Sequence, residues 1–126
     1  MVGIVIVSHS EKLAEGVLDA TRIMADGCPI EAAGGTDDGG YGTSYEKIRN
    51  AIEKVHSDDG EVVLVDMGSA VMTAEMVIED LGYDNILLVD CPIAEGAIAA
   101  SLASLCGDGL DAVKDQALST KTQAKW

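Results

Sequence analysis

Four short apolar runs, each followed by a stretch of helical length, constrain the fold of this chain more than any other feature. The runs are Met1 to Val7, Ile30 to Ala33, Glu61 to Asp66 and Asn85 to Val89. The first is a continuous series of Val and Ile broken only by Gly3. Such a run is expected to be buried on both faces, as strands are inside a parallel sheet. The stretches between the runs carry apolar residues at helical spacing. Leu13, Val17, Ala20 and Met24 form one stripe, and Ile48, Ala51, Ile52 and Val55 a second. Ala70, Ala74, Val77, Ile78 and Leu81 form a third, and Ile98, Leu102 and Leu105 a fourth.

Local punctuation agrees with this division. Ser8-x-x-Glu11 and Thr43-x-x-Glu46 have the spacing of capping boxes, which predicts helix starts there. Gly27-Cys28-Pro29 and Gly82 read as helix ends. Pro92 suits a first helical turn. The glycine-rich stretch from Gly34 to Gly42 reads as a loop. Leu110 to Leu118 reads as a last short helix, and Ser119 to Trp126 as a frayed polar tail.

The order is therefore βαβαβαβα, which predicts an α/β fold with helices on both faces of an open parallel sheet. Right-handed crossovers favour the doubly wound strand order 2-1-3-4. A chain of 126 residues is one domain, expected over residues 1–118 with the tail at 119–126. A (β/α)8 barrel would need about twice the length.

Composition excludes several classes of function. Eight Lys and Arg stand against 22 Asp and Glu, a net charge of -14. Such a surface repels phosphate backbones and anionic lipid, so neither nucleic acid nor membrane is expected as a partner. The charge suits a high-salt cytoplasm and suits an ordinary acidic protein equally well. Cys28, Cys91 and Cys106 are odd in number and show no CxxC spacing, which argues for reduced thiols in a cytoplasmic protein rather than a disulfide or zinc scaffold. The opening apolar run has no basic flank and is too short for a leader or a membrane span.

In a doubly wound sheet, ligands meet the carboxyl ends of the strands at the switch point, here between strands 1 and 3. Ser8-His9-Ser10 follows strand 1 and Asp66-Met67-Gly68-Ser69 follows strand 3, so a histidine and a carboxylate flank one crevice. His56, the other histidine, reads as a solvated residue at a helix end. There is no GxSxG elbow, no GxGxxG after strand 1 and no GK[ST], and no metal-ligand set can be assembled. No cofactor and no metal are expected. The receiver topology would require an acidic pair at the end of strand 1, where Ser8 and His9 stand. The reading that remains is His9 as a nucleophile toward phosphorus. Placed in a first helical turn, its ring would be kept neutral by the positive dipole end. Asp66 would accept a hydrogen bond from one ring nitrogen and free the other. Ser10, Gly68, Ser69, Thr43 and Ser44 open helices at the same crevice and would offer donors to a phosphoryl group.

Four motifs then carry a resemblance: Val5-Ile6-Val7-Ser8-His9-Ser10, the loop Gly35-Thr36-Asp37-Asp38 with Gly42-Thr43-Ser44, Asp66-Met67-Gly68-Ser69-Ala70, and Cys91-Pro92-Ile93-Ala94-Glu95-Gly96-Ala97. From Met1 to about Leu118 the chain resembles the mannose-type enzyme IIA family of the sugar phosphotransferase system. Within it the chain is similar to the phosphotransferase subunits of phosphoenolpyruvate-dependent dihydroxyacetone kinases. The resemblance implies that His9 accepts a phosphoryl group from the carrier HPr. It implies onward transfer to ADP in a nucleotide-binding kinase subunit, with dihydroxyacetone phosphorylated on a third, dihydroxyacetone-binding subunit. It also implies a homodimer, and that HPr-like and enzyme I-like parts are separate proteins. Within the same family, a IIA component of a mannose-type sugar transporter is the alternative. A non-catalytic regulatory domain of the same fold, with His9 merely structural, is the rival from another class.

Overall fold

The computed structural model describes all 126 residues. Its strands are β1 (Gly3–Ser8), β2 (Ile30–Gly34), β3 (Glu61–Val65) and β4 (Ile86–Val89). Its helices are α1 (Glu11–Met24), α2 (Tyr45–Val55), α3 (Gly68–Leu81), α4 (Ile93–Leu105) and α5 (Leu110–Ser119). The four strands form one parallel sheet in the order β2-β1-β3-β4, as the alternation and the crossover rule predict.

The two central strands are buried on both faces, which is why their sequences show no polar alternation. Ile4 pairs with Val62 and Ile6 with Leu64, and these side chains face α1, α4 and α5 in one core. Val5 pairs with Val63 and faces α2 and α3 in a second core, beside Val7 and Val77. A one-residue slip between β1 and β3 would exchange the two cores, so the register is strongly specified.

The helix stripes divide into two kinds. On α2 the expected Ile48, Ala51, Ile52 and Val55 are all buried, and on α3 Ala70, Ala74 and Val77 are, with Ile78 and Leu81 packed beside them. On α1 and α4 the expectation is corrected. The buried face of α1 is Ala14, Val17, Leu18 and Thr21, whereas Leu13 and Met24 are exposed. The buried face of α4 is Gly96, Ala97, Ala100, Ser101, Ala103 and Ser104, and Leu102 and Leu105 are exposed. The cause is crowding. α4 packs against β1, β3, α1 and α5 at once, so only small side chains fit beneath it. A methyl group at Gly96 would stand 2.3 Å from Cys91 Sγ.

The caps are also displaced from the expected positions. Ser10, not Ser8, caps α1, its hydroxyl accepting the Leu13 N–H at 3.2 Å. Ser44, not Thr43, caps α2 through the Lys47 N–H at 3.1 Å. Pro92 stands just before α4 as its N-cap. Gly82 ends α3 in the left-handed region at φ 72°, as read. The tail is tied at Lys121 to Asp90 and at Lys125 to Glu95, both at 3.1 Å on the surface. No helix is long and apolar enough to cross a membrane.

Candidate active site at the carboxyl ends of β1 and β3

β1 and β3 end side by side, and the chain leaves them in opposite directions, β1 toward α1 on one face and β3 toward α3 on the other. His9 and Asp66 are the first residues beyond the two strands. His9 Nδ1 lies 3.0 Å from Asp66 Oδ1. The His9 backbone N–H donates to Asp66 Oδ2 at 3.1 Å, and the Ser8 hydroxyl donates to the same oxygen at 2.8 Å. One carboxylate thus holds the ring, the backbone and the preceding side chain of the histidine.

The rest of the loop is fastened in the same manner. The Ser8 hydroxyl accepts the Ser10 N–H at 3.0 Å, the Gly42 N–H donates to the His9 carbonyl at 3.0 Å, and the Gly35 N–H donates to the Ser8 carbonyl at 3.1 Å. Gly34 is required where β2 passes under the start of α1, because a methyl group there would lie 2.7 Å from the Ser10 carbonyl oxygen and from Glu11 Cα. His9 precedes the cap Ser10, so the expectation that it stands in the first turn of α1 is corrected. What orients the ring is Asp66.

Burial pushes the Asp66 carboxyl up, but the hydrogen bonds from the His9 ring, the Ser8 hydroxyl and the His9 backbone N–H outweigh it and hold the carboxyl below the usual aspartate value. Asp66 is then an anion that can only accept. Nδ1 must carry the ring proton, and Nε2 of the neutral ring carries the lone pair. The Ser69 hydroxyl lies 2.6 Å from Nε2, at the second residue of α3, and donates to it in this tautomer. Ser69 and Gly68 are exposed, and no side chain caps the N-terminus of α3, so its first N–H groups remain open beside Nε2.

The other expected phosphate contacts are distributed differently. The Ser10 hydroxyl is committed as a cap. The Ser44 hydroxyl is committed twice, donating to Asp37 and accepting from Lys47. Thr43 Oγ1 meets Thr73 Oγ1 of α3 at 3.1 Å, which ties the loop to α3. Sequence reasoning missed Ser8 as a support of Asp66. Its position opposite the end of β3 was the available signal, and the capping-box spacing masked it.

His56 is remote from the crevice, at the other end of the sheet, and is not simply solvated. Its Nδ1 lies 3.1 Å from Oε2 of the fully buried Glu61, and its ring stacks on Tyr83 at 3.8 Å. Burial pushes the Glu61 carboxyl up, and the His56 contact draws it back in part.

Comparison with known proteins gives the family of the chain. The family described as "PTS system fructose IIA component", EIIA-man, matches residues 3–114. The phosphoryl donor subunit DhaM of the phosphoenolpyruvate-dependent dihydroxyacetone kinase of Escherichia coli is 40% identical over 120 residues, 90% of this chain and 25% of that protein. The chain thus spans about a quarter of that relative's length. DhaM proteins of Listeria innocua and Lactococcus lactis are 41% and 36% identical, over 79% and 90% of this chain and 78% and 91% of theirs. The crystal structure of the unknown-function protein EF1359 superposes with a TM-score of 0.86 at 27% identity, covering 100% of this chain and 99% of that one. The chain belongs to the mannose-type IIA family of the phosphotransferase system.

Proposed function

We propose that this chain is a phosphohistidine carrier in which His9 Nε2 accepts a phosphoryl group from phosphorylated HPr. The group then passes to ADP in the nucleotide-binding subunit of a dihydroxyacetone kinase, which supports phosphorylation of dihydroxyacetone on a third subunit. The observation that carries this reading is the ring held by Asp66 at Nδ1 with Nε2 turned to Ser69 at the open end of α3. The similarity to DhaM subunits supports the kinase as the destination.

In the first step the N–P bond of the donor breaks as the Nε2–P bond forms. The Nδ1 proton stays on the ring, hydrogen-bonded to Asp66, and the Asp66 carboxylate balances the positive charge that develops there, while the electron pair of the broken N–P bond returns to the donor's nitrogen. Before attack, the Ser69 hydroxyl swings from Nε2 and donates to a phosphoryl oxygen, joined by the first N–H groups of α3. Gly68 admits the phosphoryl group close to the backbone, with no side chain in the way. Thr43 stands on the loop that closes the crevice, and Ser10 and Ser44 shape it as caps. Asp66 orients and is not itself phosphorylated.

The test is incubation with phosphorylated HPr and measurement of intact mass. One phosphoryl group should be gained, labile to acid and stable to alkali, and then lost to ADP when the kinase subunits are added. Uptake of the label by His9→Ala would overturn the assignment. Onward transfer only to a sugar-specific IIB protein would redirect the chain to a transporter.

A further inference from the structure

A phosphoryl carrier needs a histidine with one free ring nitrogen. It does not need a hydroxyl seated on that nitrogen, yet Ser69 Oγ lies 2.6 Å from His9 Nε2. Across the ring, Nδ1 lies 3.0 Å from Asp66 Oδ1. The Nδ1 proton faces the carboxylate, so the Nε2 lone pair receives the Ser69 hydroxyl proton. Hydroxyl, imidazole and carboxylate therefore stand in one hydrogen-bonded line, each contact within reach of proton transfer. Their chain order is His9, Asp66, Ser69, and such a relay is recognised by geometry rather than by order or motif. Ser69 is presented by the first turn of α3, not by a GxSxG elbow.

The surroundings of Ser69 fit attack on a carbonyl carbon. Ser69 is exposed and covers Nε2, so an incoming electrophile meets the hydroxyl before the ring. The Ala70 N–H donates to the Met67 carbonyl at 3.0 Å, whereas the N–H groups of Gly68 and Ser69 have no partner within the helix and no side-chain cap. Two donors at the nucleophile itself are thus free to hold an oxyanion. Beside Gly68, a cleft between the ends of β3 and β4 is walled by Val65, Val71 and Leu88, with Asp66 and Asp90 on its border. Its apolar wall suits a short acyl chain, and the two carboxylates repel an anionic one.

We propose that Ser69, His9 and Asp66 form a second reactive unit, a serine relay that cleaves small neutral carboxylic esters. This inference is independent of the carrier reading, since it needs only the resting geometry. In the first step Ser69 Oγ attacks the ester carbon and gives its proton to Nε2. The oxygen of the former carbonyl draws on the Gly68 and Ser69 N–H groups. The carbonyl re-forms as the alcohol oxygen leaves with the bonding electron pair, and Ser69 is left acylated. Water then attacks the acyl carbon and loses a proton to Nε2, and Ser69 Oγ leaves and takes that proton back. Asp66 is a positioning residue that holds the ring proton on Nδ1 throughout. Because Ser69 is open to water, the esters turned over are those with a good leaving group.

The experiment uses the full chain and p-nitrophenyl acetate, with p-nitrophenolate followed by absorbance and the acetyl group located by peptide mass. The second-order rate of the wild-type chain should exceed that of free imidazole about tenfold or more. Ser69→Ala and His9→Ala should each lower it about a hundredfold. Asp66→Asn should do the same, with nitrogen spectra showing the ring protonated at Nε2, a change that a merely structural role would not produce. Cys106→Ser removes the exposed thiol, a rival nucleophile for this ester, and should leave the rate unchanged. Equal thermal midpoints show that the variants are folded.

A wild-type rate no greater than that of free imidazole would overturn the proposal, as would Ser69→Ala or His9→Ala within about threefold of wild type. Acetyl found on His9, Cys106 or lysine instead of Ser69 would overturn it too. Uptake of a phosphoryl group from HPr is read separately by mass, so the carrier reading and the ester relay stand or fall apart.

Discussion

Replacing Asp66 by Asn tests the argument about the ring nitrogen directly. The carboxylate accepts three hydrogen bonds, from His9 Nδ1 at 3.0 Å, the His9 N–H at 3.1 Å and the Ser8 hydroxyl at 2.8 Å. An amide has one oxygen. If that oxygen keeps the Ser8 and His9 backbone donors, the NH2 group faces Nδ1, and two donors meet. The ring then yields its Nδ1 proton and takes the tautomer protonated at Nε2, which has no lone pair for attack. A hydrogen bond to a charged group contributes about 1.5–3 kcal/mol, so turning it against the reactive tautomer should slow loading about 10- to 150-fold. The fold should survive, since the amide fills the same volume. The same change removes a stability term. The folded carboxyl sits below its unfolded value, so it contributes stability above an unfolded pKa of about 3.9, and that stability is lost as pH falls through the folded value. Asp66→Asn should therefore flatten the acid limb of the melting curve. The assay is loading by phosphoramidate, read beside the nitrogen chemical shifts of the His9 ring. A rate within about threefold of wild type, or a ring still protonated at Nδ1, would refute the reasoning.

Two further outcomes follow from other parts of the molecule. His56→Ala removes the only hydrogen-bond partner of the buried Glu61 side chain and should destabilise the fold by about 3–5 kcal/mol at neutral pH. Burial raises the folded Glu61 carboxyl, so the protonated form is favoured below its unfolded pKa and that favour is lost as pH rises; the deficit should be larger at pH 8 than at pH 5, and equal deficits would remove the buried charge as its cause. Self-repulsion at a net charge of -14 should relax when the Debye length falls from about 10 Å to about 3 Å, so the thermal midpoint should rise from dilute buffer to molar KCl. A flat response would mean the charges are too dispersed to cost stability.

Strand order and the facing of His9 and Asp66 were legible in the sequence because long Val and Ile runs and chain crossovers leave few alternatives. The α1 and α4 faces were not. Periodicity arguments weight large apolar residues, and these two helices turn Ala, Gly and Ser toward the core and leave Leu13, Leu102 and Leu105 at the surface. The caps were misplaced by one or two residues because Ser8, Ser10, Thr43 and Ser44 are all competent to cap, and only the neighbouring strand ends decide which hydroxyl is free. Ser8 is drawn away by Asp66 and Thr43 by Thr73, contacts across 58 and 30 residues that no local pattern carries. His56 was misread for the same reason: its partner Glu61 begins a strand and is buried by the tertiary fold.

The clamp on His9 spans two segments 57 residues apart, and it exists only where β1 and β3 are paired in a single register. Contacts of such separation are late entries in folding, because the intervening loop must close before they reward it. On the proposed carrier reading, reactivity at Nε2 is a readout of completed central pairing rather than of local structure. A nascent chain that has formed β1, α1 and β2 has the histidine but not the clamp, and a collapsed state with strands one residue out of step presents the wrong side chain to the ring. Such species carry His9 without the group that fixes its tautomer, so on the proposed carrier reading phosphoryl transfer is confined to finished molecules.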